Sequence, residues 1–237
     1  MGTTYSIKAI PLEKNTDIQI LKKGIDSVLF SLDKQMSTWD PNSEISQFNL
    51  THSTEPYAIS ESFMTVVKTA LDVSEKTDGF FDITVFDLMG LWGFGPDPNS
   101  GIPDQKQIET VLSYTGHKKI NVREKTIIKE HPETKLDLNA IAKGFAVDEV
   151  FHFLQSKGFT DLFVEIGGEV QCSGRNQLNK YWSIGIENPS GGNKSNQIFA
   201  AIVYSDGGAV ATSGNYRNFV SIDGEILGHT INPKTGI

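Results

Sequence analysis

Asp137 and Lys143 stand six residues apart in Leu136-Asp137-Leu138-Asn139-Ala140-Ile141-Ala142-Lys143-Gly144, the most informative stretch of the chain. The run reads as a strand ending in a carboxylate, then a small-residue turn into a helix. A carboxylate, an ammonium and the exposed N–H groups of a helix start together suit an anionic ligand that also carries hydrogen-bond donors. Gly144 lets a ligand approach the backbone closely. The plainer alternative is a turn whose Asp caps the helix and whose Lys is solvated.

Further polar clusters, most of them marked by glycine, share the chain. In Met36-Ser37-Thr38-Trp39-Asp40, Trp39 could stack on a flat ring or anchor the core. Ser43-Glu44-Ile45-Ser46 reads as a helix start. In Thr77-Asp78-Gly79-Phe80-Phe81-Asp82-Ile83-Thr84-Val85, a lone carboxylate lies among apolar residues. Asp82 there needs donors, either backbone N–H groups or a ligand. Trp92-Gly93-Phe94-Gly95 reads as a tight aromatic corner. Glu165-Ile166-Gly167-Gly168-Glu169-Val170 reads as strand, Gly–Gly turn, strand; it is neither GxGxxG nor GxxxxGK[ST] and supports neither a dinucleotide fold nor a P-loop. Thr212, Ser213 and Gly214, with Arg217 following, suit a phosphate or pyrophosphate, or a turn with a surface Arg. Near the end, His229 leads into Thr230-Ile231-Asn232-Pro233-Lys234-Thr235-Gly236; a His titrating near neutrality is a candidate general base, and Pro and Gly fix the loop.

These clusters need elements to hold them. The patterning predicts strands at residues 1–10, 119–130 and 135–138. It predicts helices at 17–36, 60–76, 105–114 and 140–157, with a short helix within 37–49. Further strands are expected at 161–166, 169–173, 182–187, 198–203, 210–213, 218–222 and 230–231. Mixed helices and a hairpin-rich second half indicate an α+β fold: one layered domain of mixed sheets with flanking helices, spanning 1–237. The chain has 237 residues, 38% of them hydrophobic, and a net charge of −8, which argues against nucleic acid as partner. No run approaches the roughly 18 apolar residues of a membrane span. The single cysteine, Cys172, excludes an internal disulfide; its alternating surroundings mark it as a small buried hydrophobe. The chain starts directly in an expected strand without a signal peptide, as a mature or trimmed form would.

In this order, the clusters resemble the FAD:protein FMN transferases of the ApbE type, over Met1 to Gly236. The resemblance rests on Met-Gly-Thr at the start, Met-Ser-Thr-Trp, Ser-Glu-Ile-Ser, Thr-Asp-Gly-Phe-Phe-Asp-Ile-Thr and Leu-Trp-Gly-Phe-Gly. It continues with Asp-Leu-Asn-Ala-Ile-Ala-Lys-Gly, Ile-Gly-Gly-Glu, Thr-Ser-Gly-Asn-Tyr-Arg and His-Thr-Ile-Asn-Pro-Lys-Thr-Gly. Such enzymes cleave FAD, release AMP and attach FMN to a threonine of a target protein, typically a membrane redox-pump subunit. The resemblance implies an isoalloxazine site near Met1, Trp39 and Phe80-Phe81-Asp82, contacts from Asp137 and Lys143 to FAD, and completion of that site by the loop at Ile231. It further implies Mg2+ on the carbonyl of Ala140, and His229 as base for the acceptor hydroxyl, with Lys143 neutralising phosphate charge.

Two departures accompany the resemblance. The family pattern continues beyond the Pro-Lys-Thr-Gly loop with further magnesium ligands, so a chain truncated at its C-terminus is expected. Asn232 stands where the family usually has Asp before Pro, a mild change that keeps an oxygen. A non-catalytic FAD-binding protein and an FAD pyrophosphatase are the alternative readings, and an interaction domain without cofactor is a third. The family's habits imply a periplasmic or inner-membrane-anchored lipoprotein, held only through an N-terminal anchor.

Overall fold

The computed structural model describes residues 2–11, 17–188, 199–214, 219–222 and 225–237. In chain order the elements are β1 (Tyr5–Ala9), α1 (Ile18–Met36), α2 (Glu44–Leu50), β2 (Tyr57–Ala58), α3 (Glu61–Lys76), α4 (Phe86–Leu91) and α5 (Gln105–Tyr114). After a 3-10 turn at His117–Lys119 come β3 (Ile120–Arg123), β4 (Thr126–Lys129), α6 (Ala142–Ser156), β5 (Leu162–Ile166) and β6 (Glu169–Ser173). The chain ends with β7 (Trp182–Glu187), β8 (Phe199–Ser205), β9 (Gly207–Val210), β10 (Phe219–Ile222) and β11 (Glu225–Gly228). This is the α+β mixture the patterning predicts. It divides into two compact units, Met1–Phe30 with Lys143–Ser213, and Ser31–Ala142 with Gly214–Ile237. No helix of the described residues is long and apolar enough to cross a membrane.

The first unit is built on an antiparallel sheet of order β1-β5-β6-β9. Its β5–β6 turn pairs Ile166 with Glu169 and leaves only Gly167 and Gly168 between them. Both have positive φ, 58° and 99°, which a two-residue hairpin that follows the strand twist requires. One face of the sheet packs Phe163, Val170 and Cys172 against Trp182 and Ile184 of β7. Cys172 is thus the buried hydrophobe its surroundings predict, and burial pushes its thiol up. Trp182 satisfies its indole by donating to the Ser173 carbonyl at 2.8 Å. Helix α6 buries Ala146, Val147, Val150, Phe151 and Leu154, an apolar stripe at helical spacing. Gly24 lets α1 meet α6, since a Cβ there would run into the Phe153 ring.

In the second unit, α3 buries Phe63, Val66, Val67 and Ala70, and α2 buries Ile45 and Phe48. Helix α5 begins with a capping box: Asp104 accepts from the Gln107 amide at 2.8 Å, and Gln107 accepts from the Asp104 amide at 2.8 Å. A small sheet of order β2-β4-β3 completes this core with Ile120 and Ile127.

Several elements depart from the expectations. Residues 135–138 form no strand with the other described residues. The side chain of Asn49 replaces a partner strand: its Nδ2 donates to the Leu136 carbonyl at 2.9 Å, and its Oδ1 accepts from the Leu136 amide at 2.8 Å. The Asp137 amide donates to the Ile83 carbonyl at 2.7 Å. Helix α6 starts at Ala142 rather than 140, because residues 139–141 form a turn. The strand expected at 210–213 instead ends at Val210, and 230–231 forms no strand. Helix α4 and strand β11 went unforeseen, α4 because its run is apolar without helical spacing and its cap, Val85, makes no side-chain bond.

Candidate active site

Within the second unit a cavity of about 90 Å³ lies among Phe86, Asp87, Met89, Phe94, Lys135 and Asp137. Lys135 pairs with Asp87 at 3.0 Å, and Asp97 and Asp137 are further carboxylates at the wall. Asp137 is held by its own turn: Oδ1 accepts from the Asn139 amide at 2.7 Å and Oδ2 from Asn139 Nδ2 at 3.1 Å. Burial pushes its carboxyl up, and the two bonds from Asn139 oppose that shift. Among the described residues Lys135, which lines the same cavity, is paired with Asp87, so a donor-bearing ligand would favour the ionised form of Asp137. Asp137 closes an Asx turn and does not cap α6.

Phe94 joins this cavity to the C-terminal loop. Its ring meets the half-buried His229 edge to face, centroids 6.3 Å apart at 67°. The loop beyond His229 is closed by Asn232, whose carbonyl accepts from the Gly236 amide at 2.8 Å and whose Oδ1 accepts from the Lys234 amide at 2.9 Å. An aspartate oxygen could accept there equally, so either residue would close this turn. Trp92 anchors the loop by donating Nε1 to the Gly236 carbonyl at 2.6 Å. The aromatic corner at 92–95 therefore packs the loop and lines the cavity at once. Ile231 is half-buried in the segment just before this turn.

Phe80 and Phe81 follow the end of α3. Asp78 and Gly79 hold φ of 51° and 75°, and the Gly79 amide donates to the Ser74 carbonyl at 2.7 Å, closing the helix in a Schellman-type turn. Phe80 is 62% exposed, whereas Asp82 is buried. Asp82 Oδ1 accepts from Thr84 N at 2.8 Å and Thr84 Oγ1 at 2.6 Å, and Oδ2 from His117 N at 2.6 Å. The donors Asp82 requires thus come from its own chain, and its role in this geometry is to fix the turn that presents Phe80 and Phe81. Trp39, 66% exposed, stands in the turn between α1 and α2 and is not a core anchor. Ala140 is exposed in the turn before α6.

Lys143 belongs to the first unit. Its ammonium pairs with Glu169 Oε1 at 2.9 Å and reaches the Gly167 carbonyl at 3.5 Å. Glu169 Oε2 is buried and has no hydrogen-bond partner among the described residues, an acceptor set beside the ammonium. The Gly–Gly turn is packed: a Cβ on Gly167 would meet Thr3 Oγ1 at 2.9 Å and Lys143 Cδ at 3.2 Å, and one on Gly168 would reach Thr212 Oγ1 at 3.9 Å. Lys143, the hairpin turn and Thr212 therefore gather at one end of this sheet. Gly144 has open space where a Cβ would be. Ser213 and, in the second unit, Gly214 are exposed. Met1 and the Asn215–Asn218 part of the Thr-Ser-Gly-Asn-Tyr-Arg cluster, with Arg217, lie outside the described residues.

Sequence reasoning missed Lys135, Asp87 and His117, and Glu169 as the partner of Lys143. Glu169 had a signal, a carboxylate directly after a Gly–Gly turn, and Lys135 directly precedes the Leu136–Gly144 run, but nothing local pairs Lys135 with Asp87 or sets His117 beside Asp82.

The sequence profile of the ApbE family matches residues 1–237. An FAD:protein FMN transferase of Vibrio cholerae is 40% identical over 237 residues, covering all of this chain and 70% of the relative. One of Escherichia coli K12 is 33% identical over 243 residues, covering all of this chain and 68% of the relative. The flavin transferase ApbE structure from Vibrio cholerae superposes with a TM-score of 0.89 at 40% identity, over all of this chain and 74% of that one. The apo flavinyl transferase ApbE of Pseudomonas stutzeri gives 0.88 at 32%, over all of this chain and 72% of that one. A whole-chain match in both sequence and fold leaves one assignment: the chain belongs to the ApbE family.

Proposed function

We propose that this protein is an FAD:protein FMN transferase, which cleaves FAD with magnesium and attaches FMN to a threonine hydroxyl of an acceptor protein. The observation that carries this reading is the Phe94–His229 contact at the wall of the Asp137 cavity, in a chain related throughout to enzymes of that name. In the step, the threonine oxygen forms a bond to the FMN phosphorus, the pyrophosphate P–O bond breaks and AMP leaves. The hydroxyl proton passes to the base, for which His229 is the candidate. Asp137 would accept from a donor of the flavin nucleotide, Phe80 and Trp39 offer exposed rings for stacking, and Lys143 would offset phosphate charge.

The magnesium requirement rests on family likeness. The carbonyl of Ala140 would supply one oxygen, and among the described residues no group of three His, Cys, Asp or Glu side chains could hold a metal ion. Magnesium wants about six oxygens. The described residues do not by themselves make that site. The acceptor is proposed to be a membrane redox-pump subunit, reached from the outer face of the inner membrane.

The test mixes purified protein with FAD, magnesium and an acceptor carrying the target threonine, and follows AMP release and protein-bound flavin. Both products are expected. Asp137→Ala should abolish FAD retention, and His229→Ala should spare binding but slow transfer. Bound FAD without AMP would make the protein a flavin holder, and no bound flavin at all would overturn the reading.

A further inference from the structure

One side chain ties the loop that follows His229 to the turn that presents Phe80. The Lys234 ammonium lies 2.7 Å from Asp78 Oδ2 and 4.3 Å from the centroid of the Phe80 ring. Its Cε passes 3.9 Å from the place a Cβ would take on Gly79, and the His117 ring meets that same place at 3.3 Å. The turn is thus held between His117 and Lys234. His117 is itself fixed, Nε2 to Glu75 Oε1 at 3.2 Å and its backbone amide to Asp82 at 2.6 Å. The Lys234 backbone is fixed by Asn232, and its loop by Trp92.

An exposed ion pair contributes little to stability, and the Asp78 side chain is 92% exposed. The arrangement is better suited to placement. Asp78 sits at positive φ, so the turn is locally strained and gains from an external tether. A cation over one face of an aromatic ring fixes the ring's orientation, and Phe80 is exposed enough to offer surface to a planar ligand. The ammonium also holds the Asp78 carboxyl below its usual range, as a formed pair must.

We propose that Lys234 is a positioning residue for flavin transfer: it tethers the Asp78–Phe80 turn to the C-terminal loop, so that the ring receiving the flavin and the loop of the candidate base move as one body. The assignment rests on the flavin reading above for its chemistry, but the tether itself is a property of the ligand-free protein. Two measurements on Lys234→Gln, Lys234→Arg, Asp78→Asn and the Asp78→Asn/Lys234→Gln double variant separate the two. Amide hydrogen exchange in residues 77–81 should speed up in Lys234→Gln and in Asp78→Asn, with no further increase in the double variant, and should return towards wild type in Lys234→Arg. In the transfer assay, KM for FAD should rise about 3–10-fold in Lys234→Gln with kcat within about twofold, and Lys234→Arg should recover most of it. Unchanged exchange in Lys234→Gln would overturn the tether, whatever the kinetics. A tether seen in exchange with KM unmoved would overturn the positioning role. A responsive turn in a wild-type protein that binds no FAD would overturn the flavin reading while leaving the tether standing.

Discussion

Gly236→Ala is the substitution whose cost the structure specifies most closely. Gly236 has φ of 75°, a left-handed conformation that penalises any Cβ by about 1–2 kcal/mol. A Cβ there would also lie 2.6 Å from Ile108 Cγ2 and 3.3 Å from Leu88 Cδ2. Ile108 and Leu88 are buried, so they cannot swing away into solvent, and such overpacking costs about 1–3 kcal/mol. Together the two effects come to about 2–5 kcal/mol, or a fall in Tm of about 4–20 °C for a chain of this length. Gly101→Ala is the control. Gly101 also has positive φ, 101°, but nothing within 4 Å of a Cβ, so it should cost about 1 kcal/mol and about 2–4 °C. The difference between the two variants isolates the packing of the loop against α4 and α5. Thermal unfolding of both, followed by circular dichroism, measures it. Because the Gly236 carbonyl is also the acceptor for Trp92, displacement should loosen the His229 loop and lower flavin transfer by more than tenfold at temperatures where the variant is folded. If Gly236→Ala melts no lower than Gly101→Ala, the docking of this loop is not what the distances say, and the placement of His229 argued from it fails.

Two further outcomes follow from buried polar groups. Lys129 is buried, donates to the Thr51 carbonyl at 2.7 Å and lies 4.5 Å from the Phe48 ring centroid; burial first, and Lys135 second, push its pKa down from 10.5 to about 8. Between those values the unfolded chain binds the proton that the folded one has released, so stability rises as pH climbs from about 8 to 10.5, by on the order of 2 kcal/mol. Urea unfolding from pH 7.5 to 10 should show that gain in the wild type and lose it in Lys129→Met; parallel pH profiles would refute it. Asn49→Ala leaves the buried amide and carbonyl of Leu136 without partners and should cost about 2–4 kcal/mol in urea unfolding. A cost under about 0.5 kcal/mol would show that Asn49 is not the surrogate strand partner of this segment.

Periodicity and punctuation alone determined much of the fold. The apolar spacing in 18–36 and 61–76, and Asp104 with Gln107 at the head of 105–114, are local signals whose outcome depends on neighbours within a turn or two of helix. The Gly167–Gly168 hairpin is likewise local, because only glycine tolerates both positive φ values without strain. The chemistry-bearing residues were also legible, as an ordered set of short clusters. What those residues touch was not. Residues 135–138 read as a strand because their alternation is that of a strand, and only the fold decided that Asn49, 87 positions away, would take the partner strand's bonds. Asp82 was visible as a carboxylate in need of donors, but that Thr84 and His117 supply them depends on where the chain returns. The same holds for Lys143 with Glu169, Lys234 with Phe80, and Trp92 with Gly236, the last a contact across 144 positions. Local order is written in neighbouring residues, whereas long-range partners are set by the balance of core packing over the whole unit, which no single motif encodes.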